Sequence, residues 1–174
     1  MALDLFEKIE RTRHFGELFL VWLWFRSNVD DTIFTLNDGT TLNLAIDNQM
    51  TLEAKLAEAE KTVISGGAPA DSKEAYESLK QGKIVSQAKI RIHHNEKEWV
   101  FVFVAAQMAM TGIKIPALMT KADDEKFFER MALIEEVDGL MRGLYEKFLS
   151  IRLDPKAWKE ENKNLCNWMN EDKT

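Results

Sequence analysis

The spacing of apolar residues changes several times along the chain, and each change marks an element. From Leu3 to Asn28 the pattern reads as one long helix. Leu3, Phe6 and Ile9 form a single stripe, and Leu18 to Phe25 is then apolar all round. Only Val21 in that run is β-branched, which favours helix over strand. A stripe that widens into a belt predicts a helix that starts at the surface and ends in the interior or in an interface. The belt is too short to cross a bilayer, which needs about 20 apolar residues, and Glu17 and Arg26 bound it.

The period then shifts to two. TIFTL (32–36) and TLNLAI (41–46) alternate around Asp38-Gly39, a strong signal for a tight hairpin. Residues 50–64 are ambiguous: Leu52, Leu56, Ala59 and Val63 fit a helical stripe, and propensity favours helix, while Thr, Val and Ile at the ends suit a strand. Ser65-Gly66-Gly67-Ala68-Pro69 is a loop, after which Asp71 or Ser72 caps a short helix ended by Gly82. KIVSQAKIRIHH (83–94) alternates, with Ile84, Ala88, Ile90 and Ile92 on one face and Lys83, Lys89, Arg91 and His93 on the other. WVFVFVAA is apolar on both faces and reads as a central strand, and TGIKIP (111–116) as one more short strand closed by Pro116.

The remainder is helical. Residues 123–151 open with acids suited to a helix N-terminus and carry Ile134, Val137, Met141, Leu144, Phe148 and Ile151 at spacings of three and four. Asp154-Pro155 breaks and recaps the chain, and a last helix presents Trp158, Leu165, Trp168 and Met169 on one face. The pattern predicts a single α+β domain over 1–174. An N-terminal helix (1–29) precedes a mainly antiparallel sheet region with one short helix (30–120), and helices (121–174) follow.

Charge narrows the function classes. A net charge of −6 opposes a wholesale grip on nucleic acid or anionic lipid, so only a local basic patch could bind phosphates. The single Cys166 excludes an internal disulfide and a multi-cysteine metal site, and reads as a small core residue. MALDLFEKIERTRH lacks a basic-then-apolar leader pattern, so a cytoplasmic location is expected.

Candidate chemistry is sparse. His93 and His94 point to opposite faces of a strand, and with His14 they read as surface or turn residues. Asp30-Asp31 and Asp123-Asp124-Glu125 sit at element boundaries, and Glu135-Glu136 lies within a helix. A two-metal nuclease site needs carboxylates from several strands converging on one point, which sequence neighbours of this kind do not imply, and a metal-dependent nuclease is kept as the second alternative function. GGAPADSK lacks the Walker spacing, and there is no GxGxxG. No cofactor, metal or small-molecule substrate is expected, and no enzymatic activity.

Two features stand out. Lys83, Lys89, Arg91 and His93, with Lys80 on the preceding helix, form a basic row whose spacing, about 6.5–7 Å per pair of residues, is close to that of phosphates along a strand. Such a row can track a backbone without reading bases, or be a solvated sheet face balanced by acids on a neighbouring strand. The second feature is the helical seam Ile134, Val137, Met141, Leu144 and Phe148, which with Trp22 and Trp24 is a candidate for core or subunit interface.

Several segments taken together resemble, in order, the later portion of proteins related to the recombination-associated protein RdgC. They are FGELFLVWLWFRSN, FTLNDGTTLNLAIDNQMTLEA, SKEAYESLKQGKIVSQAKIRI, MTGIKIP and FFERMALIEEVDGLMRGLYEKFLSIRLDP. The resemblance covers about residues 15–170, and the amino-terminal half of the longer members has no counterpart here. It implies a non-enzymatic protein of recombination or replication, a homo-oligomer (dimer) that encloses double-stranded DNA without sequence preference. Lys80, Lys83, Lys89 and Arg91 match the family's basic positions. It also implies extended structure over 50–64, against raw propensity. The alternative function is a structural, oligomerisation or protein-interaction module without DNA binding.

Overall fold

A computed structural model describes residues 15–54 and 61–171. The expectations for Leu3, Phe6, Ile9 and His14, and for Leu56 and Ala59, lie outside the described residues. The fold is α+β: a six-stranded antiparallel sheet, an N-terminal helix and two long C-terminal helices.

Helix α1 (Phe15–Val29) holds the apolar belt, and Phe19 to Phe25 are all buried. The reason is its position: it lies against the sheet with helices on its other sides. Trp22 packs edge-on to Phe34 at 6.0 Å and beside Phe148 at 5.6 Å. On another side, Trp24 meets Tyr76 at 5.0 Å and Trp168 at 5.1 Å, and its indole N–H donates to the Ala70 carbonyl (3.0 Å). A helix enclosed in this way has no solvent stripe to keep polar. Trp22 and Trp24 are therefore core.

Strands β1 (Ile33–Thr35) and β2 (Thr41–Ala54) form the expected hairpin, with Gly39 at φ 86° in the left-handed region its turn requires. Strand β3 (Lys61–Ser65) pairs with the second half of β2, so the described parts of 50–64 are extended, as the resemblance implied and propensity did not. Helix α2 (Lys73–Lys80) starts at Ser72, whose side chain makes no capping hydrogen bond. Strands β4 (Lys83–His94) and β5 (Lys97–Val104) are joined by Asn95-Glu96, both left-handed (φ 48° and 62°), a two-residue turn whose twist suits a hairpin. Strand β6 spans Ala109–Lys114, two residues earlier than the sequence suggested. The sheet order is β1-β2-β4-β5-β6, with β3 also on β2.

Helix α3 (Asp123–Arg152) and helix α4 (Pro155–Asn170) complete the core, with Asp154 capping α4 by accepting from the Lys156 and Ala157 amides. Val137, Met141, Leu144 and Phe148 of the predicted seam are buried, and so are Leu165 and Trp168 of α4, whose Trp158 and Met169 are half-buried. Ile134 departs from the seam and is exposed. Cys166 is half-buried and free. None of the described helices is long and apolar enough to cross a membrane.

Candidate nucleic-acid interface

The open face of the sheet is set by two interruptions of strand pairing. Between Ile46 and Met50, β2 carries three residues (Asp47, Asn48, Gln49) where β4 carries one, Lys89. Further along, Thr51 pairs with Gln87 and Leu52 with Val85, leaving Ser86 as an extra residue on β4. The second irregularity reverses the alternation. Val85 and Ala88, three apart, are both buried, whereas a regular strand would turn them to opposite faces.

This corrects the basic row. Lys89, Arg91 and His93 share the solvent-facing side, opposite the buried Ala88, Ile90 and Ile92. Lys83, two residues before Val85, does not continue that side. Its ammonium donates to the Thr62 hydroxyl at 2.9 Å, over β3. Lys80 sits on the last turn of α2, 3.5 Å from Glu77. The row is three residues, not five.

The first interruption supplies the counter-charge. Asp47 lies 3.5 Å from the Lys89 ammonium and accepts from Arg91 Nη2 at 3.2 Å, and Asn48 Oδ1 accepts from Lys89 at 3.1 Å. From β5, Glu98 accepts from Arg91 Nη1 at 2.8 Å and lies 2.9 Å from His93 Nε2. Hydrogen bonds to Glu98, then to Asp47, raise the Arg91 pKa further above its already high value. Two fixed cations thus face two carboxylates. Asp47 and Glu98 are the residues that strand periodicity missed; the one signal was the break of alternation at Asp47-Asn48-Gln49.

The pairs that Arg91 and His93 make with Glu98 (41% exposed) are open to solvent, and such pairs contribute about 0–1 kcal/mol each, so a competing anion can exchange with them, whereas Asp47 is largely covered (18%). His94, on the other side of the hairpin end, places Nδ1 2.9 Å from the Thr41 carbonyl. Among the described residues no group of three His, Cys, Asp or Glu side chains could hold a metal ion. A groove of about 890 Å³ opens between the end of α1, β2, α2 and α4. Its charged lining residues are Asp31, Asp71 and Glu171, a surface that repels phosphate.

No protein-family model and no curated protein matches this chain.

Proposed function

We propose that this chain is a non-enzymatic, cytoplasmic, DNA-associated protein of the RdgC-like kind, which contacts duplex phosphates weakly and without sequence preference. The observation that carries the reading is the row Lys89, Arg91 and His93 on one face of β4, whose carboxylate partner Glu98 is open to exchange. Two or three phosphate contacts give a salt slope of about −2 to −3, so affinity should fall roughly 10- to 40-fold between 50 and 200 mM salt. The test is duplex binding by Lys89→Glu/Arg91→Glu, compared with Lys83→Glu. Loss of binding in the double variant, with Lys83→Glu close to the parent, supports the reading. Parent-like binding by the double variant removes these residues from the interface.

A second reading is an interaction module with no nucleic-acid role. The neutral balance of the sheet face favours it, because Asp47 and Glu98 already occupy the cations. It predicts no duplex binding even at low salt.

A further inference from the structure

A cavity of about 300 Å³ opens between α1, β5, β6 and α3, on the side of the sheet opposite Lys89, Arg91 and His93. Its floor is aromatic. Phe19 and Phe103 are buried and meet edge-on at 5.8 Å, and the Tyr145 ring stands edge-on to Phe19 at 5.2 Å. Three methionines from separate segments line the rest: Met108 at the end of the short turn after β5, Met110 on β6 and Met141 on α3. Apolar surface held open to water in this way carries a free-energy cost that a bound apolar group would recover.

We propose that this cavity binds a small aromatic carboxylate, with the ring among Phe19, Phe103 and the three methionines and the carboxylate on Arg142 and Tyr145. The walls select the ring. Thioether sulfur is polarizable and makes favourable contacts with aromatic edges, and unbranched methionine side chains adjust to a flat group. The rim selects the acid. Helix α3 brings Asp138, Arg142 and Tyr145 to one face at spacings of four and three. The Tyr145 hydroxyl has no hydrogen-bond partner among the described residues. Arg142 is the cation of the lining, and its pair with Asp138 (2.7 Å) is 70% and 51% exposed, weak enough for an incoming carboxylate to share the guanidinium. An N–H and an O–H donor thus converge where a carboxylate accepts from both.

Met108 marks the mouth. It is 39% exposed and sits at φ 50°, in the left-handed region where glycine or asparagine is the usual residue, and its sulfur lies against Gly16 of α1, 2.9 Å from where a Cβ would be. A long apolar side chain is thus held at a backbone position that disfavours it, beside an opening that it can cover. The volume is at the low end of small-molecule sites, which suits a fused-ring acid rather than a nucleotide or a peptide. The inference does not rest on the reading of the sheet face.

Titration calorimetry with naphthoate, together with NMR of carbon-13 methionine methyl groups, tests it. Naphthoate should bind with a Kd of roughly 0.1–1 mM and shift the Met108, Met110 and Met141 methyl signals. Naphthylmethanol, which lacks the charge, and octanoate, which lacks the ring, should bind several-fold more weakly. The exposed Arg142→Gln should bring naphthoate down to the affinity of naphthylmethanol and leave naphthylmethanol itself unchanged. Met108→Gly should weaken naphthoate binding several-fold without lowering the thermal midpoint, because the backbone there is relieved. Naphthoate that leaves all three methyl signals unmoved at millimolar concentration overturns the site. Arg142→Gln that binds naphthoate as the parent does, or octanoate that binds as tightly as naphthoate, overturns the assignment of an aromatic carboxylate.

Discussion

Arg26 on α1 clamps Glu161 on α4 with two parallel hydrogen bonds, Nε to Oε1 at 2.6 Å and Nη2 to Oε2 at 2.5 Å. Glu161 is only 5% exposed, and its Oε1 also accepts from the Trp22 indole at 2.7 Å. The apolar belt is therefore joined to the last helix by one carboxylate that satisfies three donors. Burial works against the Arg26 charge, and the hydrogen bonds and charges of Glu161 and then Asp30 together outweigh it, leaving its pKa raised.

Removing only the carboxylate should be costly. Glu161→Leu leaves the Trp22 N–H unpaired and the part-buried Arg26 guanidinium with only Asp30, 3.2 Å from Nη1, and should destabilise by about 2–3 kcal/mol in urea unfolding. Arg26→Met/Glu161→Leu should recover at least half of that loss. If the double variant is as unstable as Glu161→Leu alone, the pair is not coupled as described.

Gly16 supports a second close approach. A Cβ there would lie 2.0 Å from the Ala105 carbonyl oxygen, in the short turn that follows β5. A backbone oxygen cannot rotate aside as a side chain does, so α1 or the turn has to move. Gly16→Ala should cost about 1–3 kcal/mol despite its better helix propensity, read as a lowered midpoint of thermal unfolding.

Alkaline pH should weaken the fold through Tyr76. Burial, with the charge of Asp71, pushes its phenol from 10.0 up to about 12, while its oxygen accepts from Asn28 at 2.6 Å. The folded state holds the proton longer than the unfolded chain. Its stabilising contribution is thus complete below pH 10 and is lost as pH rises towards 12. Ultraviolet titration of a Tyr145→Phe variant should show phenolate forming near the higher value. Ionisation near 10 would place Tyr76 in water.

Much of the architecture could be read from the chain, because local patterns determined it. Asp38-Gly39 marked its hairpin, Asp154-Pro155 marked the start of α4, and the lack of a polar stripe in α1 signalled enclosure. Other features depended on tertiary context. Lys61 and Glu53 carry little strand propensity, yet they pair with each other across β3 and β2, and Glu53 pairs with Ile84 of β4 on its other side, which holds both extended. The extra residue at Ser86 cannot be seen in a run that alternates plausibly on either side, so Lys83 was placed on the wrong face. The seam on α3 divides at Leu133, where contact with the body begins, which sends Val137 inward and leaves Ile134 outside. That boundary depends on where the Trp99 side chain meets the helix, a long-range contact with no local signature.

The candidate interface was only half legible for the same reason: strand periodicity gave the cations, and the neighbouring strands supplied their partners. Those partners also provide the sharpest test. Asp47→Asn/Glu98→Gln keeps the side-chain shapes and hydrogen-bonding capacity while removing two negative charges beside Lys89, Arg91 and His93. Fluorescence anisotropy with a duplex oligonucleotide, titrated with salt, measures the outcome. The account predicts roughly tenfold tighter, more salt-sensitive binding than the parent, because phosphates no longer compete with carboxylates for the same cations. Unchanged affinity, or no binding by either protein at low salt, would contradict it.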